Sequence, residues 1–164
     1  MDARTWRSTM GQFATGVTII TTIDEDGQPL GMTANAFTSL SLEPPMALIC
    51  VDRGSSTLPK LIAAGKYCVN VLGASQQALS GSFARKGGSE KFQGIAYKRG
   101  ELDLPVLQGC LTSIECEISD VLEGGDHLIL LGRGIRIHPS EAASQAEPLL
   151  FYQGSYAKLE PAGV

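Results

Sequence analysis

Thr112-Ser113-Ile114-Glu115-Cys116-Glu117-Ile118-Ser119 alternates polar and apolar side chains, the pattern of a strand with one wet face. Glu123-Gly124-Gly125-Asp126 then reads as a hairpin turn, and His127-Leu128-Ile129-Leu130-Leu131-Gly132-Arg133-Gly134-Ile135-Arg136-Ile137-His138 as a long returning strand. Gly132 and Gly134 allow the bend or bulge that closing a barrel requires.

The segments before this hairpin add strands. Val17 to Ile23 is strongly β-branched, and Asp24-Glu25-Asp26-Gly27-Gln28-Pro29 is a turn in which Asp26-Gly27 favours positive φ. A hairpin thus leads into Gly31–Ser41. Met46 to Val51 is a continuous apolar run, which predicts a strand covered on both faces, and Tyr67 to Leu72 is another strand. Helices are short. Ala3–Ala14 carries Trp6, Met10 and Phe13 near helical spacing and is ended by Gly16; Leu58–Gly65 has Pro59 in its first turn; Ser75–Arg85 is capped by Ser75. Ile95–Gln108 reads as an irregular connection, Ser140–Ala146 as a helical turn, and Phe151–Tyr156 as an aromatic segment. Strands interrupted by short helices, without βαβ alternation, give a mainly β chain and a small barrel.

The totals agree with one domain over residues 1–164: hydrophobic residues are 43% and charged residues 18% of the chain. A net charge of −4 argues against a nucleic-acid partner, and no apolar run approaches the roughly 20 residues of a membrane span. No secretory signal opens the chain, so the expected location is cytoplasmic. Cys50, Cys68, Cys110 and Cys116 lack C-x-x-C spacing and only two histidines are present, which suggests buried thiols and no zinc site or disulfide framework.

Two stretches carry chemistry. Gly31 to Leu42 is rich in small residues, hydroxyls and one amide but has no charge, which suits a neutral, hydrogen-bonding heteroaromatic ligand. Ser55-Ser56-Thr57 opens a helix, either as an ordinary cap through Ser56 or Thr57 or as an anion seat. Arg85, Lys86 and Lys91 form the densest positive patch of an acidic chain.

Phe13-Ala14-Thr15-Gly16-Val17-Thr18-Ile19-Ile20-Thr21, Gly31–Ser41, Pro44-Pro45, Ser55-Ser56-Thr57, Ser82-Phe83-Ala84 and Gly125-Asp126-His127 occur in this order along nearly the whole chain. Together they resemble the short-chain flavin reductases that serve two-component flavin monooxygenases, such as the reductase component of 4-hydroxyphenylacetate monooxygenase. The resemblance implies an FMN-binding split barrel, a homodimer, FMN or FAD as flavin, NADH or NADPH as electron source, and a separate oxygenase component supplied by diffusing reduced flavin. It implies that Thr33, Ala34 and Asn35 lie along the isoalloxazine edge, with Ser39 and Ser41 near the ring or ribityl chain. Asp52, Ser55, Ser56 and Thr57 would take the ribityl and phosphate region. Ser82, Phe83, Ala84 and Arg85 would close over the phosphate, Lys91 would supply counter-charge, and Tyr152 and Tyr156 would complete the wall. His127 would face the nicotinamide, either orienting it or supplying a proton, whereas His138 has no motif and reads as structural.

Two other functions share these features. One keeps the flavin and passes electrons to a cobalt corrinoid or ferric iron. The other is a non-catalytic flavin- or haem-binding split-barrel module, which has no need of a nicotinamide-facing histidine.

Overall fold

The computed structural model describes residues 1–140 and 147–159. The hairpin expected from the second half is its longest feature. Strand β9 (Thr112–Gly124) turns into β10 (His127–Pro139), with register shifts at Leu131/Gly132 and Gly134/Arg136, at the two glycines expected to bend it.

The remaining strands of the main sheet are β2 (Thr18–Ile23), β3 (Pro29–Ala34), β4 (Phe37–Leu42), β5 (Pro45–Asp52) and β6 (Lys66–Val71). Their order across the seven-stranded sheet is β3-β2-β6-β9-β10-β5-β4, and every neighbouring pair is antiparallel. Consecutive strands β3 and β4 are therefore the two opposite edges, although only Asn35 and Ala36 join them. Two residues span at most about 7 Å, so the sheet must curl until its edges meet. No ladder links β3 to β4. The result is a split β-barrel.

Inside the curl lie Ile20, Ile49, Val51, Leu61, Tyr67, Val69 and Leu130. Outside β2 and β6, a second cluster of Val17, Ile19, Leu72, Phe83, Phe92, Leu107 and Leu149 is held by helix α3 (Gln77–Phe83) and the short hairpin β7 (Tyr97–Arg99) and β8 (Pro105–Leu107). Strands β2 and β6 are consequently buried on both faces. Double coverage had been expected of β5. There Ala47, Ile49 and Val51 are buried while Met46, Leu48 and Cys50 are only half-buried, because no element among the described residues covers the outer face.

Other expectations shift at their boundaries. Helix α1 (Ala3–Met10) stops at Gly11, whose N–H donates to Arg7 O, instead of reaching Ala14. Gly16 does not end the helix: it sits in β1 (Thr15–Gly16), paired with β11 (Leu150–Tyr152), which forms a hairpin with β12 (Ser155–Ala157). Ser75 is not a cap; it lies within a 3-10 turn (Ala74–Gln76), and the Gln76 side chain accepts from Gly73 N. Helix α2 (Leu58–Ala64) ends at left-handed Gly65 as expected, with Pro59 in its first turn. The supposedly irregular Ile95–Gln108 contains the β7–β8 hairpin, invisible to periodicity because each strand has three residues. The expected turn at Ser140–Ala146 falls, beyond Ser140, outside the described residues. Cys68, Cys110 and Cys116 are buried, and burial pushes the thiols of Cys110 and Cys116 up to about 11.

One buried polar group joins most of these pieces. Asn70 on β6 is fully buried, and its amide donates to Ile19 O at 3.0 Å and Thr21 Oγ1 at 3.1 Å. Its Oδ1 accepts from Leu107 N and Ser113 Oγ, both at 2.9 Å, so strands β2, β6, β8 and β9 share one amide. Truncation strands these partners away from water. Asn70→Ala is expected to cost about 1–3 kcal/mol of unfolding free energy, read as a lower urea midpoint; an unchanged midpoint would refute a keystone role.

Candidate functional site

A cleft of about 270 Å³ opens where three segments converge. The first is β3, through Met32 and Thr33. The second is the loop Gly54-Ser55-Ser56-Thr57 ahead of α2. The third is the end of α3 and the following turn, through Phe83, Ala84, Arg85, Lys86 and Lys91. The hydroxyl-rich helix start and the basic patch, separate in sequence, thus line one cavity.

Local bonds hold it in shape. Thr33 Oγ1 donates to Ser80 O at 2.6 Å, tying β3 to α3, and Ser55 Oγ lies 3.7 Å from Met32 Sδ, tying β3 to the loop. Gly31 lets β3 approach α3, since a Cβ there would stand 2.9 Å from the Phe83 ring. Thr57 occupies the N-cap position of α2 without a side-chain bond; its N–H instead donates to Ser55 Oγ at 3.3 Å. Neither Ser56 nor Thr57 makes the capping bond that one reading of the sequence allowed. The hydroxyls of Ser56 and Thr57 have no partner among the described residues and remain available to a ligand.

Charge favours an anion. Lys91 Nζ donates to Arg85 O at 3.0 Å and sits 5.6 Å from the Phe83 ring centroid. Burial lowers the Lys91 pKa, with Glu90 opposing, so an incoming anion would favour its charged form. Arg85 and Lys86 are exposed beside it, and no carboxylate lines the cleft among the described residues. Hydroxyls and three cations, none of them salt-bridged among the described residues, are a donor set suited to a phosphate. The volume falls below the roughly 300–1,000 Å³ of a complete small-molecule site, so the cleft suits the phosphate end of a larger ligand.

The other expected residues are not among those that line this cleft. Ala34 is buried on β3, and exposed Asn35 reaches Thr15 Oγ1 at 3.3 Å. Ser39 and Ser41 lie on the free edge strand β4, where a register shift separates them. Asp52 Oδ1 accepts from Gly54 N at 2.6 Å and braces the loop. Ser82 Oγ donates back to Ala78 O. Tyr156 OH bonds Ser80 Oγ at 2.8 Å, behind the bond from Thr33. Tyr152 belongs to the small sheet and contacts Gln12. Gly54, Met32 and Lys86 were missed as site residues; Gly54 sits between two expected positions, and Lys86 was visible in the basic patch.

His127 begins β10 and pairs with Asp52 on β5 and Gly124 on β9, which places it beside the start of the cleft loop. Gly125 supplies the positive φ of 75° that the preceding turn needs. His127 Nδ1 lies 2.8 Å from Asp126 Oδ1, and the imidazole contact holds the Asp126 carboxyl below the usual carboxylate range. With a carboxylate as acceptor, Nδ1 carries the proton, and Nε2 has no partner among the described residues. His138 bonds buried Glu115 at 2.7 Å, in keeping with a structural part. Among the described residues there is no group of acidic, Cys and His side chains able to hold a metal, and no helix long and apolar enough to cross a membrane.

Comparison with known proteins bears on this geometry. The reductase subunit HsaB of a flavin-dependent monooxygenase from Mycobacterium tuberculosis is 40% identical over 161 residues, covering 98% of this chain and 84% of that protein. Nitrilotriacetate monooxygenase component B from Mycobacterium thermoresistibile superposes with a TM-score of 0.91 at 40% identity, covering 96% of this chain and 87% of that one. The NADH:FAD oxidoreductase SgcE6 of Streptomyces globisporus, solved with NAD and FAD fragments, gives 0.90 at 35% identity, covering 98% and 94%. Residues 10–160 match the flavin reductase like domain, and the chain belongs to that family.

Proposed function

We propose that this chain is an NAD(P)H-dependent flavin reductase that supplies reduced flavin to a separate monooxygenase, working as one domain over residues 1–164. The observation that carries the reading is the convergence of the Ser55–Thr57 loop and the Arg85/Lys86/Lys91 patch on one carboxylate-free cleft, with His127 registered beside that loop. Relatives described as the reductase subunit of a flavin-dependent monooxygenase and as an NADH:FAD oxidoreductase support both halves of it.

In this reading, Ser55, Ser56, Thr57, Arg85 and Lys91 hold the flavin phosphate. The uncharged stretch through Thr33, Ala34, Asn35, Ser39 and Ser41 borders the ring. Phe83 and Ala84 wall the phosphate side, while Asp52, Ser82, Tyr152 and Tyr156 frame the approach. Flavin held by these residues, as FMN or FAD, would supply the hydride acceptor, with NADH or NADPH as the donor. The protein's own contribution is positioning. His127, fixed as the Nδ1–H tautomer by Asp126, presents Nε2 to orient the nicotinamide. The absence of carboxylates from the cleft keeps negative charge away from the phosphate. Three of the four cysteines are buried, which fits a reducing cytoplasm.

A homodimer belongs to the same reading. Helix α1 buries none of its residues, and Trp6, Met10, Phe13, Leu40 and Leu42 are all exposed. The outer face of β5 is uncovered and the cleft is too small for a whole flavin. A second copy meets all three demands. Sedimentation equilibrium is expected to give twice the chain mass, and a monomer at micromolar concentration would contradict this.

Anaerobic stopped-flow at 450 nm tests the activity. Flavin mixed with the protein and NADH or NADPH is expected to bleach far faster than without protein. Binding without bleaching would favour a non-catalytic module. The His127→Ala variant is expected to slow bleaching while flavin affinity stays within a few-fold; parallel loss of both would remove His127 from the nicotinamide side.

Lys91→Met addresses the phosphate seat. Loss of a charge-assisted bond, about 1.5–3 kcal/mol, predicts FMN binding weakened about tenfold or more. Riboflavin, which has no phosphate, should bind as before, so an equal loss for both ligands would place the phosphate elsewhere.

A further inference from the structure

The loop that lines the cleft begins with a residue that the expected site did not include. Arg53 stands between Asp52, the register partner of His127, and Gly54, the first cleft residue of the loop. Its backbone N–H donates to Asp126 O at 3.0 Å and its Nε donates to Gly125 O at 3.0 Å. Its guanidinium also ion-pairs with Glu123. Arg53 thus grips the segment Glu123–Asp126 at three points, Glu123, Gly125 and Asp126, immediately before His127. Four residues further on, Thr57 occupies the N-cap position of helix α2, and Gly54 to Thr57 line the anion cleft.

We propose that Arg53 is a positioning residue for His127, setting the attitude of the nicotinamide-side turn and linking it to the flavin-phosphate loop. This rests on the reading above that His127 faces the nicotinamide. The physical argument is one of remaining freedom. The ladder fixes the His127 backbone on both sides, and Asp126 fixes its tautomer. Asp126 itself sits in the turn and has no neighbouring strand. Its placement therefore depends on what holds Gly125 and the Asp126 carbonyl, and both are held by Arg53. The Glu123 pair is more exposed, at 82% for the carboxylate side chain, and in water such a pair adds little; it orients the guanidinium. The specific element is the planar fork, with one N–H on a carbonyl while the rest of the group faces a carboxylate. A lysine cannot make both contacts in one fixed geometry.

A double-mutant cycle on anaerobic flavin reduction separates this role from a merely structural one. Arg53→Ala is expected to slow reduction by NAD(P)H about tenfold, with FMN affinity within a few-fold of the parent, and Arg53→Lys to recover only part of the loss. In the His127→Ala background, Arg53→Ala should change the rate less than twofold, because nothing remains for Arg53 to position. A full tenfold loss persisting in that background overturns the proposal, as does an Arg53→Ala rate equal to the parent or an FMN affinity that falls in step with the rate. If His127→Ala alone leaves reduction untouched, the underlying reading of His127 fails and this inference goes with it; an effect of His127→Ala without one of Arg53→Ala sinks the inference alone. Should Arg53→Ala fail to fold by circular dichroism, Arg53→Gln, which keeps the stem and drops the ion pair, is run through the same cycle.

Discussion

The two-residue link between β3 and β4 is the constraint on which the rest of the molecule depends. These strands are at opposite edges of a seven-stranded sheet, so Asn35 and Ala36 force the sheet to close on itself. Closure comes from chain length, not from a ladder, and β3 keeps an unpaired edge. An open edge is a liability unless something covers it. Here the cover is polar: Thr33 donates to Ser80 on α3, and Met32 meets Ser55 of the loop before α2. The cleft is what remains between these two covers. Its position follows from the split in the barrel.

Two kinds of polar group result, and burial decides which is which. Asn70 and Glu115 are both fully buried, and each is saturated. Glu115 accepts from Glu101 N at 2.8 Å, Leu102 N at 2.7 Å and His138 Nε2 at 2.7 Å, fastening the β7–β8 hairpin to β9. Saturated groups in a dry interior specify one arrangement and have nothing to offer a ligand. Cleft groups are the reverse. Ser56, Arg85 and Lys86 are exposed and uncommitted, and Lys91, though partly buried, spends its bonds on two carbonyls and makes no salt bridge among the described residues. Asn70 and Glu115 thus serve the fold and the cleft groups are left for a ligand; the Tyr67 hydroxyl, buried inside the curl without a hydrogen-bond partner among the described residues, follows neither pattern.

How much of this could be read from the chain depends on the range of the interaction concerned. The β9–β10 hairpin was legible because alternation, the Gly124-Gly125 turn and the bulge glycines are local signals. So were the phosphate candidates, since hydroxyls and cations announce themselves by type. The end of α1 was not legible: the helix stops at Gly11 instead of Ala14, and Thr15 and Gly16 just beyond pair with β11, far along the chain. Nor was the one-sided burial of β5, because an apolar run looks the same whether its second face meets its own chain or another surface. Arg53 was invisible for a similar reason. Its partners are two backbone carbonyls and a carboxylate on a distant turn, and an arginine between an aspartate and a glycine carries no mark of that.

On the proposed role of His127, a reductase of this build needs no catalytic loop. Transferring a hydride between two stacked rings asks the protein for geometry more than for acid or base, and geometry is best held by elements that cannot move independently. His127 is the first residue of a strand, registered on one side to Asp52 and on the other to Gly124. It therefore has the rigidity of the sheet and the accessibility of a turn. The strand that supplies Asp52 runs directly into Arg53 and the cleft loop, so under the proposed reading one continuous stretch of backbone, residues 52–57, sets both the nicotinamide side and the flavin-phosphate side. In that reading a shift of residues 52–57 would carry both ends of the site together, because neither end is held by a separate loop.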